Sequence, residues 1–287
     1  MISSATIFLL FKGLTRLQAN HEIIFDLAES LHVTQEGTRY VFYLGEHYWS
    51  DGKEISALDF ELSWKAILNP DFPSFSAHLF YPIKNAERAK KGEISIEKIG
   101  VHAENSKTLV VELERPISYF LELTSFCSFF PVPSHSEVQF SLPPKESFVC
   151  SGPFHLASWQ PGKEILFKKN PLTRSRFSIF LEKIQIRIMP DEKQAFSLFE
   201  QGELDWVGEP FSPLPLNYLP TFSEKWESQP IGGITLCFFN TRQFPFYNQK
   251  LRQAFAYAIQ REKILRKLYI PHASSATGLV PPTFKRK

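Results

Sequence analysis

Residues 49–64 read WSDGKEISALDFELSW, which joins a tight turn to the start of an amphipathic helix. Residues 40–44, just before this stretch, are a run of aromatic and branched side chains that predicts a strand. The turn itself is Ser50-Asp51-Gly52-Lys53, whose Asp and Gly favour a reversal of the chain. The sequence therefore predicts a strand, a turn and a helix in close succession.

The helix has a recognisable beginning and end. Ser56 is placed to cap it, and Asp59, three residues later, completes a capping-box pattern. Phe60 and Trp64 recur at helical spacing on one side, and Asn69-Pro70 stops the pattern. This spacing also predicts that Trp49 and Trp64 are buried in a hydrophobic core.

Strands and helices are mixed along the rest of the chain without strict alternation. This arrangement predicts a mixed α/β (α+β) fold. The predicted elements are hairpins at 96–102 with 108–113 and at 154–159 with 164–168, strands at 181–189 and 234–239, and helices at 117–126, at 191–199 and from Asn248 onward.

Composition excludes several classes of protein. The 287 residues are 43% hydrophobic and carry a net charge of +2 without a long basic stripe, so we expect an ordered globular chain and no nucleic-acid partner. Cys127, Cys150 and Cys237 are odd in number and widely spaced, which fits neither a disulfide framework nor a zinc site. We expect each to be a small buried hydrophobe. We expect no cofactor and no metal.

The chain lacks the common catalytic motifs. It has no Gly-x-Ser-x-Gly elbow, no phosphate-binding Gly-rich loop and no His-Glu-x-x-His helix, and its eight His are scattered. Asp51 and Asp59 are accounted for by turn and capping roles. These patterns favour a binding protein over an enzyme, while an enzyme with a site built from distant residues and an interaction protein remain alternatives.

Several motifs resemble the oligopeptide-binding extracytoplasmic solute-binding proteins of ABC importers, solute-binding protein family 5. The first is the 49–64 stretch itself. The others follow in the family's order along nearly the whole chain: Ile99-Gly100-Val101, Thr108 to Leu113, Pro116 to Phe120, Phe130-Pro131-Val132-Pro133, Ser151-Gly152-Pro153-Phe154, Lys169-Asn170-Pro171, Gly202-Glu203-Leu204-Asp205, Asn240-Thr241 and Leu251-Arg252-Gln253-Ala254.

The resemblance implies a periplasmic-binding-protein-like fold with three lobes, of which two are represented. Residues 1–14 plus 139–275 resemble lobe one, a discontinuous wall of the peptide cleft, and residues 15–138 resemble lobe two. Residues 276–287 resemble the start of the crossing to lobe three, which we expect to be missing. The chain is then either a remnant of a split gene or a half-protein that a second chain completes.

The same resemblance implies a function and a location. The chain is expected to bind oligopeptides for an ABC importer, with the importer's membrane subunits and a second chain for the missing lobe as partners. Affinity is expected to be weak or to depend on that second chain. Family members work in the periplasm or cell envelope, but the sequence shows no export signal, so we expect a cytoplasmic location if it is expressed as written.

The resemblance also implies candidate peptide-binding residues. An extended peptide is recognised through its backbone, like an added strand, which permits broad specificity. For Tyr81 and Phe239 core packing is the alternative role, and for Asn240 a turn role is the alternative. The candidates are Ser3, Ser4, Ala5, Tyr81, Phe239, Asn240, Gly278, Leu279 and Val280.

Overall fold

The computed structural model describes residues 4–18, 20, 22–135, 148–174, 178–211, 232–268, 273–276 and 278–281. It divides into two compact units, Met1–Gln194 and Ala195–Lys287. Strands and helices are mixed in the first unit, as the sequence predicts.

The first unit contains a four-stranded antiparallel sheet rich in aromatic and branched residues. The strand order is β3-β4-β6-β5. A short two-stranded ribbon precedes the sheet. After the helix α1 (Ser4–Leu10), the strands of the ribbon and the sheet are β1 (Thr15–Leu17), β2 (Ile23–Phe25), β3 (Ala28–Thr34), β4 (Arg39–Leu44), β5 (Val101–Asn105) and β6 (Thr108–Glu112).

The helix α2 (Ala57–Leu68) packs against β5 and β6. Its apolar residues at helical spacing bury the face toward the sheet, and Trp49, Phe60 and Trp64 are fully buried in one core with the strands. The placement of both tryptophans in this core confirms the prediction. The Trp64 ring lies 5.2 Å from the Phe129 ring and its Nε1–H donates to the Phe129 carbonyl at 2.9 Å.

Two predicted elements around this core are shorter than expected. The predicted strand 96–102 begins as a 3₁₀ turn, Ile96–Lys98, and β5 starts only at Val101. The predicted helix 117–126 is a single turn, α4 (Phe120–Leu123). The chain leaves α4 early because a second 3₁₀ turn, Cys127–Phe129, carries Phe129 into the core beneath Trp64. A short helix, α3 (Ala86–Lys90), packs beside α2.

A second core in the first unit forms around a three-stranded antiparallel sheet, in the order β7-β8-β9. Its strands are β7 (Phe154–Gln160), β8 (Glu164–Lys169) and β9 (Lys183–Arg187). The predicted hairpin at 154–168 is confirmed. The buried residues are Leu10, Cys150, Phe154, Leu156, Ile165 and Phe167, so the end of α1 belongs to this core, whereas Leu14 belongs to the first.

The second unit is mainly helical and irregular in its described part. The helix α5 (Glu192–Glu200) leads into it, and Gly202 follows with a positive φ of 76°. Asn248 caps α6 (Gln249–Ala258) by accepting the Lys250 N–H at 2.9 Å, and α7 (Arg261–Leu268) follows. The predicted helix therefore exists but is broken at residues 259–260.

The predicted strand at 234–239 is wrong. The segment has no regular secondary structure, and Leu236 and Phe238 are exposed. A strand needs a partner for its backbone N–H and C=O groups, and the described residues of the second unit contain no other strand. The predicted partition into lobe one (1–14 plus 139–275) and lobe two (15–138) stays a prediction.

Candidate functional site

The two cores of the first unit meet at a junction where α1 ends. The Leu10 carbonyl accepts the N–H groups of Ser151 and Gly152 at 3.1 and 2.7 Å. A Cβ on Gly152 would stand 2.4 Å from the Leu10 carbonyl carbon, so only glycine fits this approach. The Asn170 side chain donates to the Gly152 carbonyl at 3.0 Å. Two motifs that are far apart in sequence, 151–154 and 169–171, thus close around the same helix end.

The 49–64 stretch supplies a second set of contacts at the junction. The Ser50 N–H donates to the Cys150 carbonyl at 2.8 Å, and the Cys150 N–H donates back to Ser50 Oγ at 3.1 Å. Burial raises the pKa of the Cys150 thiol to about 11. Cys150 is therefore a packed, protonated side chain rather than a reactive one.

Asp59 is a buried acceptor for several donors from distant parts of the chain. Its Oδ2 accepts the Ser56 N–H at 2.8 Å, as the capping box predicts, and also the Trp49 indole N–H at 3.4 Å. Its Oδ1 accepts the Ser134 N–H at 2.8 Å. The carboxylate thereby ties the turn, the helix and the 131–134 segment together.

A neighbouring bond extends this network. Ser63, on α2, accepts the Val132 N–H on its hydroxyl at 2.8 Å, while the same hydroxyl donates to the Asp59 carbonyl. The segment 131–134 overlaps the resembling motif 130–133 and lies next to the end of the described range 22–135. Its path away from the first core is therefore set by side chains of α2.

Charged side chains surround Lys12, whose backbone N–H donates to Ser151 Oγ at 3.1 Å in the junction. Lys12 is buried, and its Nζ donates to the Arg174 carbonyl at 2.7 Å and lies 3.3 Å from Asp26 Oδ1. Arg174 in turn contacts Glu46 at 2.6 Å. Burial, assisted by the charge of Lys12, lowers the pKa of His47 to about 4. His47 is therefore neutral at pH 7 and adds no further positive charge near Lys12.

Sequence reasoning missed Lys12 and the distant partners of Asp59 and Asp51. The turn role of Asp51 is confirmed, because its Oδ1 accepts the Lys53 N–H at 3.1 Å. Its Oδ2 also lies 2.7 Å from Nε2 of His135, which is 84 residues away. Burial acts to raise the pKa of the Asp51 carboxyl, but the hydrogen bond to His135 outweighs burial and the pKa is lowered. A single sequence gives no signal for such pairs.

The candidate peptide-binding residues of the first unit are placed as follows. Ser3 lies outside the described residues, and Ser4 and Ala5 form the start of α1, with side chains that are not described. Tyr81 follows a 3₁₀ turn, Ala77–Phe80, and is half-buried against the first core. The assignment of these residues to a binding site stays a prediction.

The remaining candidates lie in the second unit. Phe239 is half-buried with its ring 4.9 Å from Phe246 and 5.6 Å from Phe255. Asn240 is exposed and begins a turn, since its Oδ1 accepts the Arg242 N–H at 3.1 Å. Residues 278–280, which are Gly278, Leu279 and Val280, are exposed. Within the described part of the unit, no hydrogen bond joins these three to Phe239 or Asn240.

The cysteines differ from the expectation of uniform burial. Cys150 is buried, Cys127 is half-buried and Cys237 is exposed. Cys237 is exposed because it lies in the 234–239 segment that is not a strand. Among the described residues, no three His, Cys, Asp or Glu side chains are grouped so that they could hold a metal ion. None of the described helices is long and apolar enough to cross a membrane.

Comparison with known proteins identifies the family. A profile described as "Bacterial extracellular solute-binding proteins, family 5 Middle" matches residues 22–287. The chain belongs to this family. The junction motifs around Asp59 and Gly152 thus lie within the region that the profile describes. Members of family 5 are solute-binding proteins, which agrees with the resemblance seen in the sequence.

Curated relatives are similar along nearly all of this chain. The oligopeptide-binding protein OppA of Bacillus subtilis is 32% identical, with 99% of this chain and 53% of that protein covered. The dipeptide-binding protein DppE of the same organism is 30% identical, with 96% and 51% covered. The probable deoxycholate-binding protein YgiS of Escherichia coli is 27% identical, with 96% and 52% covered. The chain spans about half the length of these relatives.

Solved structures of oligopeptide-binding proteins share the fold. A periplasmic oligopeptide-binding protein from Borrelia burgdorferi aligns with a TM-score of 0.80 at 26% identity, covering 92% of this chain and 53% of that one. The Haemophilus influenzae OppA complex with the peptide RPPGFSPFR aligns at 0.77 with 23% identity, covering 98% and 56%. The mixed α/β, periplasmic-binding-protein-like fold predicted from the sequence is confirmed.

Proposed function

We propose that this chain is a peptide-binding component of an ABC-type oligopeptide transport system and that it supplies one wall of the binding cleft. The observation that carries the proposal is the 32% identity to an oligopeptide-binding protein over 99% of this chain. The alignment with a solved periplasmic oligopeptide-binding protein, at a TM-score of 0.80 and 26% identity, supports it.

The proposed wall recognises the peptide backbone. Asn240 offers an exposed side-chain amide beside the half-buried ring of Phe239, and Gly278 to Val280 offer exposed backbone groups. Backbone hydrogen bonds are the same for every peptide, so specificity is broad. Tyr81, Ser3, Ser4 and Ala5 complete the proposed set. A peptide is the proposed ligand class.

One wall alone binds weakly under this proposal. A good site buries about 70–90% of a small ligand, whereas one side of a clamshell covers roughly half. The polypeptide equivalent to the other half of the relatives, joined to this chain or separate from it, is the proposed second wall and a partner. The importer's membrane subunits are further proposed partners, and the cell envelope is the proposed location.

No catalytic step is part of the proposed function. Three buried residues at the junction are held in structural hydrogen bonds or ion pairs: Asp59, Lys12 and Cys150. A reaction site would need a nucleophile or acid with free access to a ligand. Capture and delivery of a solute need neither.

The test is calorimetry with a mixed library of tripeptides to pentapeptides. We expect at most millimolar binding by the chain alone and micromolar binding after addition of the polypeptide equivalent to the unmatched half of Bacillus subtilis OppA. Asn240→Ala should reduce that binding, and Asn105→Ala, which removes a similar turn-forming side chain from β5, should not. Deoxycholate serves as a non-peptide comparison ligand.

Native mass spectrometry of the purified chain provides an independent check. Retained peptides support capture, and a co-purifying second chain supports completion of the cleft. Micromolar peptide binding by the monomeric chain alone would show that the second wall is not needed. Tight binding of deoxycholate without binding of peptides would overturn the proposed ligand class.

A further inference from the structure

Asp51 presents its carboxylate from a tight turn in the first unit. The Gly52 N–H donates to the Trp49 carbonyl at 2.9 Å, and Gly52 has a positive φ of 89°. Asp51 Oδ1 accepts the Lys53 N–H at 3.1 Å, so one carboxylate oxygen is bonded within the turn. The other oxygen, Oδ2, lies 2.7 Å from His135 Nε2. The turn therefore holds the Asp51 carboxylate in one orientation toward His135.

His135 ends a short run of three contacts against the first core. The Val132 N–H donates to Ser63 Oγ and the Ser134 N–H donates to Asp59 Oδ1, both at 2.8 Å. These two contacts use main-chain donors, whereas the third uses the His135 side chain. Histidine is the side chain whose charge ordinarily changes between pH 5 and 8. Of the three contacts, the one that His135 makes is therefore sensitive to pH in that range.

The pair of His135 and Asp51 has the geometry of a charged hydrogen bond. A separation of 2.7 Å lies in the range for a cation that donates to a carboxylate. The bond requires a proton on Nε2, which the charged imidazole always carries and the neutral imidazole carries in one of its two tautomers. The two side chains are 22% and 30% exposed, so solvent screens the pair incompletely. Loss of the imidazole charge therefore weakens the contact.

The carboxylate partner stays ionised in the range where histidine titrates. Burial acts to raise the pKa of the Asp51 carboxyl, but the hydrogen bonds from His135 and the Lys53 N–H outweigh burial and the pKa is lowered. Nearby, Glu54 and Lys65 form ion pairs with other residues. The charged groups on the turn and on α2, the elements that residues 132–135 contact, are Asp51, Lys53, Glu54, Asp59, Glu61 and Lys65.

We propose that His135 and Asp51 form a pH-sensitive latch, which holds residues 132–135 to the turn while His135 is charged and loosens as the pH rises above neutral. The backbone bonds of Val132 and Ser134 then hold the segment without the ion pair. A partly exposed ion pair contributes little, so the change is graded: the open population of the segment should rise about threefold, without unfolding of the unit. The proposal rests on contacts within the first unit and does not depend on peptide binding.

The latch and His47 respond to pH in opposite directions. The pKa of His47 is lowered to about 4 in the folded chain, so acid weakens the fold as a whole. Acidification through neutral pH strengthens the latch. The test therefore needs a local measurement, the exchange of the Ser134 N–H, together with a reference in the core. Phe42, on the inner strand β4 of the four-stranded sheet, is that reference because it is fully buried.

The experiment is hydrogen exchange of the full chain, followed by NMR at pH 6 and pH 8. Each exchange rate is divided by the intrinsic rate of an unstructured peptide at the same pH, which gives a protection factor. Relative to Phe42, the Ser134 N–H should be protected about threefold more at pH 6 than at pH 8. Addition of 0.5 M NaCl should reduce this difference, because salt screens partly exposed charges.

Two conservative variants test the two members of the latch. His135→Gln keeps a side chain that forms hydrogen bonds but does not titrate, so it should remove the difference between the two pH values. Asp51→Asn keeps an acceptor for the Lys53 N–H, so the turn persists while the charge is lost, and it should remove most of the difference. The matched control is His102→Gln, on the exposed side of β5, which should keep the threefold difference. Circular dichroism checks that all forms keep the same secondary structure.

Three results would overturn the proposal. Equal relative protection of Ser134 at both pH values in the natural chain excludes the latch. A pH difference that persists in full in His135→Gln assigns the effect to another titrating group. A difference that persists in full in Asp51→Asn shows that His135 acts without this carboxylate. Peptide calorimetry is independent of these outcomes, so the latch and the proposed function fail separately.

Discussion

The Asp59 carboxylate accepts the backbone N–H of Ser134 at 2.8 Å, although 75 residues separate them along the chain. Asp59 is 1% exposed and also accepts donors from Ser56 and Trp49. The capping-box carboxylate predicted from the sequence is thus also the anchor of the segment that leaves the first core. A buried carboxylate with several donors is a point where one substitution has a large effect.

Asp59→Asn should lower the free energy of unfolding by about 2 kcal/mol. An amide of the same shape keeps one acceptor oxygen but turns an NH₂ group toward a buried donor, which leaves that donor unsatisfied. Urea unfolding followed by the fluorescence of the buried tryptophans Trp49 and Trp64 measures the change. Asp71→Asn, in an exposed loop, is the matched control and should unfold like the natural chain. Equal stability of the two variants would contradict the anchoring role of Asp59.

Ser56→Ala should lower the free energy of unfolding by about 1 kcal/mol, the usual effect of removing a helix cap. Its hydroxyl donates to Asp59 Oδ2 at 3.1 Å, so alanine removes one donor but keeps the N–H bond to the same carboxylate. Ser56→Thr should retain most of the stability, because threonine keeps the hydroxyl. An alanine variant indistinguishable from the natural chain in urea would show that the hydroxyl does not stabilise α2.

Gly152→Ala should destabilise the first unit by about 3 kcal/mol. The added Cβ would meet backbone atoms of Leu9 and Leu10 at 2.5 and 2.4 Å, so the two cores would have to separate at the junction. Gly278→Ala is the control, because nothing lies within 4 Å of a Cβ there. Thermal unfolding monitored by circular dichroism distinguishes them. A Gly152→Ala chain with an unchanged melting temperature would mean that the junction is not closely packed.

Stability should fall as the pH is lowered from 6.5 toward 4. The folded pKa of His47 is about 4, below its ordinary value of 6.5, so the unfolded chain takes up the proton first. The contribution of neutral His47 to the free energy of unfolding is fully present above pH 6.5 and is lost as the pH falls. Because His47 is half-buried, we expect a loss of about 1 kcal/mol by pH 5.

Urea unfolding at pH 7 and pH 5 measures this loss. His47→Gln should reduce the difference between the two pH values, because glutamine does not titrate. His102→Gln, on the exposed side of β5, is the matched control and should leave the difference as it is in the natural chain. A His47→Gln chain with the full pH dependence would assign the effect to other groups.

Cys237 should react with iodoacetamide at pH 8 far faster than Cys150. Cys237 is exposed, whereas burial raises the pKa of Cys150 to about 11 and leaves almost no thiolate at that pH. Peptide mass spectrometry after timed labelling measures both sites in one sample. Gly152→Ala should increase the labelling of Cys150, because it opens the junction next to it. Early labelling of Cys150 in the natural chain would contradict its burial.

Local features were readable from the sequence because neighbouring residues generate them. The turn at 50–53, the helix that Ser56 begins and the hairpin at 154–168 depend on hydrogen bonds and side-chain spacing within a few residues. The burial of Trp49 and Trp64 followed from the same spacing. The order of motifs was enough to predict the family and the fold, since it extends over nearly the whole chain.

Only the tertiary structure decided which distant residues meet. Sequence spacing contains no information on the pairing of Asp59 with Ser134, of Ser50 with Cys150, or of Lys12 with Asp26. In the segment 234–239 the local sequence predicted an element that does not form. Its apolar run predicts a strand, but a strand forms only where another strand is available to pair with it. Local propensity determines what a segment is able to form, and its partners in three dimensions determine what it does form.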